Sequence, residues 1–236
     1  MMPASRIPSI LCLTLLVLCA PFAGACGRQE QEQRKAFIEF LETNVAGGDD
    51  RIRMGDATRT KVGNYGRHFD VLAAYSKELG DVNARLAGEK TRLAAPGPVS
   101  VDKLGSERAR IEQLVAALSR SAQQVDAVKA RADAARAALK QPEDLRAAFG
   151  KAFEKEISEY AAALKDLYAV QKDFYAEAAR MGMFFEKHRE KIRISNTTVT
   201  IDDQALVTEY NILQKAMQEK FRHMQAALTS GRSWAR

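Results

Sequence analysis

Cys26, directly behind Ala23-Gly24-Ala25, is the residue whose setting most plainly asks for covalent chemistry. A cysteine that closes an apolar export segment after small residues is the substrate pattern for lipid attachment to its thiol. Cleavage after Ala25 then frees an amine that takes a further acyl chain. Cys26 is therefore the expected lipid attachment residue, and Ala25 the residue before the cut. The segment in front fits export: Met1 to Arg6 carries one positive charge, and Ile7 to Ala20 is apolar, short for a bilayer span and followed at once by Pro21. The Ala-x-Ala ending also suits the ordinary signal peptidase, which would leave a secreted protein with a free cysteine. Acylation is the better account, because Cys12 and Cys19 fall inside the signal and the mature chain keeps Cys26 alone. Gly27, where Asp would favour retention at the inner membrane, points to the outer one.

Little else in the chain has the spacing of a reactive site. His68, His188 and His223 are scattered, with no His-x-x-x-His pair, and there is no Cys-x-x-Cys or Gly-rich phosphate loop. Asp49-Asp50 and Asp202-Asp203 sit at expected helix boundaries, where capping explains them. Asn196-Thr197-Thr198 matches a glycosylation sequon too short to carry weight. The expectation is a protein without catalytic residues, metal or cofactor, and not an enzyme. Two basic stretches could meet an anionic surface. Residues 51 to 67 hold Arg51, Arg53, Arg59, Lys61 and Arg67 against Asp56 alone, and Lys187, Arg189, Lys191 and Arg193 close a helix. Met181, Met183, Phe184 and Phe185 could line an apolar pocket, though such a cluster is more often core.

The elements that carry these residues are helical. A first helix is expected from about Glu32 to Ala46, after a polar tether from Cys26 to Gln33, and Gly47-Gly48 stops it. A second follows Val62, Tyr65, Phe69, Leu72, Leu79 and Leu86, with Ser76 and Asn83 as polar seam positions. Pro96-Gly97-Pro98 breaks the chain. Leu104, Ile111, Leu114, Leu118, Val125, Val128, Ala132, Ala135 and Leu139 then keep one seven-residue frame, with Glu107 and Ser121 its polar members. Phe149 and Phe153 still fit that frame past Pro142. From Ile157 a second frame runs through Tyr160, Leu164, Leu167, Phe174, Ala178, Met181 and Phe185, with Gln171 polar. Two such seams predict a long antiparallel hairpin that turns either at Pro142 or near Ser158. Ile192-Arg193-Ile194 and Val199-Thr200-Ile201 predict a small β-hairpin, and Leu206 to Leu228 a last helix, with Gly231 onward frayed. The fold class is all-α: one domain over 34–230, a hairpin or bundle of about five helices with one β-hairpin near 192–201.

Cys26-Gly27 with Gln33-Arg34-Lys35-Ala36-Phe37-Ile38 resembles the mature start of the YiaF-like lipoproteins of Gram-negative bacteria. Ala138-Leu139-Lys140-Gln141, Asp144-Leu145 and Ala152-Phe153 are similar to the middle of that family, and Glu209-Tyr210-Asn211 to a point near its end. The family places a Pro-containing break where this chain has Ser158-Glu159-Tyr160, and does not share Pro142. Since it has no assigned activity, the resemblance implies a lipid-anchored helical envelope protein and no mechanism.

The functional expectation is a periplasm-facing lipoprotein held to the membrane by its acyl chains. It would act as a binding or scaffolding module toward an envelope protein, peptidoglycan or lipopolysaccharide. The alternative is a helical carrier with an apolar pocket near Met181 to Phe185. The mature chain carries 35 bases against 30 acids, Arg6 being the one charge ahead of Cys26. That excess suits anionic envelope surfaces, and export removes nucleic acid as a partner.

The two seams yield a direct test. Val125→Asp or Leu164→Asp puts an unpaired charge between helices and should cost more than about 3 kcal/mol. Gln123→Asp, off the seam, should move a thermal melt by less than about 0.5 kcal/mol. Equal melts for the two kinds of variant would overturn the seam assignment.

Overall fold

A computed structural model describes residues 20–45, 52–93, 103–195 and 198–230. The apolar run before Ala20, Gly47 to Arg51, Pro96-Gly97-Pro98, Asn196-Thr197 and the tail from Gly231 lie outside the described residues.

The described residues open with α1 (Ala20–Phe40), continued by a π-helical turn, Leu41–Val45. Helix therefore begins well before Glu32. Arg28 to Gln33 consists of good helix formers, and Gly27 to Glu32 are exposed, so the expected tether is itself helical. A short α2 (Asp56–Val62) leads through a 3₁₀ turn at Gly63–Tyr65 into α3 (Gly66–Leu93). Gly63 marks this break with φ +54°, a conformation that side chains with a Cβ rarely adopt. A Cβ there would also lie 2.3 Å from the Gln33 side chain.

Three long helices follow: α4 (Arg108–Ala138), α5 (Glu143–Phe153) and α6 (Tyr160–Lys187). The hairpin turns at Leu139–Pro142, where α4 ends in extended backbone at Leu139 and Pro142 enters α5. This decides the question the sequence left open, against a turn near Ser158. What stands there is a π-helical insertion, Glu154–Glu159, which joins α5 to α6 as one continuous rod. The frame change from Phe153 to Ile157 is a slip of one residue, and one extra residue is what a π segment absorbs without breaking a helix. Both sides of the slip remain buried, with Phe149, Phe153 and Ile157 at 0% exposure.

Paired residues give the packing directions. His68 with Gln141, Glu78 with Arg131 and Glu89 with Arg120 run α3 antiparallel to α4. Arg136 over the Phe153 ring, Asp126 with Lys165 and Arg108 with Glu186 do the same for α4 and the rod. At its far end the loop before α4 crosses α6 so closely that a Cβ on Gly182 would meet the Leu104 carbonyl oxygen at 2.5 Å. The rod then turns into β1 (Ile192–Ser195) and β2 (Thr198–Ile201), antiparallel with Ile192 opposite Ile201. Finally α7 (Gln204–Ser230) runs back along α6, fixed by Phe221 against Phe174 and Lys220 with Asp173.

Buried apolar residues form two clusters bridged by Tyr175. The larger joins α1, α3, α4, α5 and the first half of α6, and the smaller joins Leu104, Ile111, Met181, Phe184, Phe185, Ile192 and Leu206. Two of the polar seam positions, Asn83 and Gln171, find their partners in residues outside the seam series. Tyr168 of α6 donates to the Asn83 side chain at 3.2 Å, and Lys90 donates to buried Gln171 at 2.5 Å. Burial lowers the Lys90 pKa, so the amide oxygen of Gln171 is its compensation for lost water.

The π insertion carries Glu156, half-buried, whose carboxyl is pushed by burial from 4.5 to about 7. In the unfolded chain this group ionises near its ordinary value. The contribution of Glu156 to stability is therefore most favourable below pH 4.5, declines as pH rises toward about 7, and levels off once the folded group ionises. Glu156→Gln should raise the melting temperature at pH above 7 and leave it unchanged at pH below 4.5. Calorimetry at the two ends of that window checks it, and equal shifts at both would refute burial as the cause.

Candidate functional site

The elongated bundle has two chemically distinct ends. Glu143 to Lys187 is continuous helix, and at about 1.5 Å per residue it separates these ends by roughly 65 Å. The backbone of Ala25 and Cys26 lies in α1, and their side chains are outside the described residues. The register of α1 places them at the α5 end. Glu30 accepts a hydrogen bond from the Tyr65 hydroxyl at 3.3 Å, and Arg34 pairs with Asp144, in the first turn of α5, at 3.2 Å. Phe37 stacks on Tyr65 and lies beside His68, seating α1 on the core. Cys26 therefore stands one helical turn before Gln29 and just beyond this end.

The expected basic cluster lies at the opposite end, and the structure divides it. Lys191 pairs with Asp203 at 3.0 Å, and Arg193 meets both carboxylate oxygens of Asp202, at 3.1 and 3.2 Å. The aspartates expected as caps thus also neutralise half of the cluster. Asp203 does cap α7, accepting from the Ala205 amide at 3.0 Å and the Leu206 amide at 3.4 Å. Lys187 and Arg189 are exposed and make no ion pair among the described residues. In the other basic stretch, Arg59 is held by Asp70 at 2.8 Å, and Lys61 lies 3.9 Å from Glu39.

Met181, Phe184 and Phe185 are core, packed with Ile111, Ile192 and Leu206, and Tyr210 of α7 stacks near both phenylalanine rings. Met183 faces solvent at 46% exposure. Beside them an open depression of about 330 Å³ runs from Gly105 past Phe185 and Arg189 to Ile192. The apolar side chains proposed for a carrier pocket are spent on holding α7 and the β-hairpin to α6.

Periodicity did not foresee the cleft at the α1 end. It measures about 490 Å³ and is built from three distant segments: Gln29 to Gln33 of α1, Asn64 to His68 at the start of α3, and Lys140 to Pro142 in the hairpin turn. Arg67 and Lys140 bring positive charge to it and Glu30 negative. The Gln141 amide nitrogen donates to Nδ1 of His68 at 3.0 Å, so the neutral ring keeps its proton on Nε2. Burial, reinforced by Arg67, lowers the His68 pKa and favours that neutral form. Its sequence signals were Arg67 in the basic stretch and Lys140-Gln141 in the turn, and neither spacing reveals that they meet. The other two histidines sit apart: His188 ends α6 against Phe184, and His223 is exposed on α7.

Among the described residues, no three His, Cys, Asp or Glu gather as a metal site, and no helix is long and apolar enough to cross a membrane. Residues 12–231 match the family model described as "Protein of unknown function (DUF3053)". The chain is 26% identical over 203 residues to the uncharacterized protein YiaF of Escherichia coli strain K12, covering 85% of each. The same identity and coverage hold for the YiaF proteins of Escherichia coli O157:H7 and Shigella flexneri, also uncharacterized. No solved structure matches it.

The cap at Asp203 gives a separable test. Its pairing with Lys191 and its two amide bonds lower its pKa, so it contributes stability above the ordinary carboxylate range and loses it as pH falls through the folded value. Asp203→Asn keeps an oxygen that caps α7 but loses the charge, so it should lower the melting temperature by about 1–2 °C at neutral pH and have no effect in strong acid. Asp202→Asn, which breaks an exposed pair only, should stay within about 1 °C of wild type.

Proposed function

The chain belongs to the DUF3053 family of proteins of unknown function, and from the setting of Cys26 in the sequence we propose that it is a lipid-anchored envelope lipoprotein. In this reading acyl chains on Cys26 hold it to a membrane, preferably the outer one, with the folded domain facing the periplasm. It acts as a binding or scaffolding module without catalytic chemistry. The observation that carries the reading is the placement of α1: Cys26 closes an export-type segment, and the helix it belongs to leaves the bundle at one extreme end. The anchor therefore leaves the long faces and the far end unobstructed. Two acyl chains, at about 0.8 kcal/mol per buried methylene, suffice for stable attachment. A rod of roughly 65 Å then carries Lys187 and Arg189 away from the anchoring surface, toward an anionic envelope partner such as peptidoglycan, lipopolysaccharide or an acidic protein face. The carrier alternative is disfavoured by the filled packing of Met181, Phe184 and Phe185.

The anchor is tested by metabolic labelling. Wild-type chain should incorporate labelled palmitate and fractionate with membranes, and Cys26→Ser should lose the label and accumulate as a soluble exported form. Inhibiting the lipoprotein signal peptidase should leave uncut precursor. An unlabelled wild type that fractionates as soluble, with processing insensitive to the inhibitor, would reduce Cys26 to a free thiol.

A further inference from the structure

We propose that the cleft at the α1 end binds the headgroup of a membrane phospholipid, specifically a phosphodiester whose outer arm carries a hydrogen-bond donor. The phosphodiester chemistry stands on the cleft, and the lipid as its source rests on the anchored reading above.

The cleft is lined by donors on one part and an acceptor on another. Arg67 spends its Nε on the Asn64 carbonyl at 3.5 Å, which leaves its terminal nitrogens without a partner among the described residues. Lys140 likewise makes no ion pair among them. His68 adds an Nε2–H donor, its tautomer fixed from behind by Gln141. Arg67 and His68 open α3 and Lys140 lies in the hairpin turn, so the three groups meet only because those two elements are packed at the same end. A phosphodiester, with a single negative charge and exposed oxygens, suits two unpaired cations beside a neutral donor.

Glu30 decides what kind of phosphate. It sits in the same cleft as Arg67 and Lys140 and accepts from the Tyr65 hydroxyl. A carboxylate there repels a bare phosphate dianion, whereas its remaining lone pairs can accept from an ammonium or hydroxyl carried on the phosphodiester. Ethanolamine and glycerol headgroups have that donor, and choline does not. Position agrees with chemistry. Gln29 lines the cleft three residues from Cys26, about 4.5 Å of helix rise. Acyl chains on Cys26 would therefore bring the cleft into the headgroup layer of the same membrane. Lys187 and Arg189, roughly 65 Å away, cannot share it.

The Cys26→Ser chain in its exported form, free of acyl chains and of the apolar leader, provides the test. It is titrated with monomeric dihexanoyl phosphatidylethanolamine, phosphatidylglycerol and phosphatidylcholine and with inorganic phosphate, following the His68 ring by NMR and affinity by calorimetry. The ethanolamine and glycerol lipids should shift the His68 resonances and bind at least about tenfold more tightly than the choline lipid. Arg67→Gln with Lys140→Gln should weaken binding at least about tenfold. Gln29→Trp, which fills the mouth without changing charge, should do the same. Lys187→Gln with Arg189→Gln should leave the titration unchanged. Inorganic phosphate binding as tightly as the lipids would overturn the headgroup assignment. Equal loss from the distal pair would reduce the effect to diffuse charge, and an unmoved His68 ring would remove the site. Acylation is not needed here, so failure of this titration and failure of palmitate labelling are separate results.

Discussion

The fold depends on burying one continuous apolar stripe, that of the rod from Glu143 to Lys187. Helix α4 lies along it, α3 packs on α4 and reaches the rod through Asn83 and Lys90, and α7 returns along α6. Among the described residues Cys26 is the one cysteine, so no disulfide staples them to one another. Stability must come from side-chain burial, and Phe37, Phe149, Phe153 and Tyr168, each below 2% exposure, supply large individual shares. The rod can serve three partners because its π insertion lets the buried stripe change phase without a break. A regular α-helix of this length would carry the stripe progressively away from one of them.

Burial alone leaves the axial register of such helices loosely determined, since one heptad fits nearly as well as the next. The polar seam residues remove that freedom. Asn83 can satisfy Tyr168, and Gln171 can satisfy Lys90, in only one alignment of α3 with α6. A shift by one turn would strand the buried Gln171 amide and the half-buried Lys90 ammonium without partners, a penalty above the net gain from a hydrogen bond. Gly182 adds a steric marker at the far end, where the Leu104 carbonyl approaches too closely for any side chain.

Register has a consequence for surface chemistry. It aligns the middle of α1 and the start of α3 with the hairpin turn, so Glu30, Arg67, His68 and Lys140 converge at one end. At the other end it sets Asp202 and Asp203 against Arg193 and Lys191. The formal excess of base is therefore distributed very differently from its appearance along the chain. Lys191 and Arg193 look most concentrated in sequence and are largely compensated, while Arg67 and Lys140, far apart in sequence, share an open cleft.

The sequence by itself determined whatever depends on local pattern. The seven-residue frames through Leu118, Val125, Ala178 and Phe185 and the alternation of Ile192 and Ile194 are complete within a few turns of chain. Periodicity reads such features because each residue's face is fixed by its nearest neighbours. The family likeness was legible for the same reason, in short blocks around Phe37, Lys140 and Tyr210. Only the tertiary structure decided where the frames join. A one-residue slip at Phe153–Ile157 is equally the mark of a turn or of a π insertion, and the burial available to both Phe149 and Ile157 in one straight rod selects the insertion. The tertiary structure alone also decided which charges are paired and which side chains form the cleft. Those outcomes depend on distances between residues dozens of positions apart, and helix packing sets them where local chain geometry cannot.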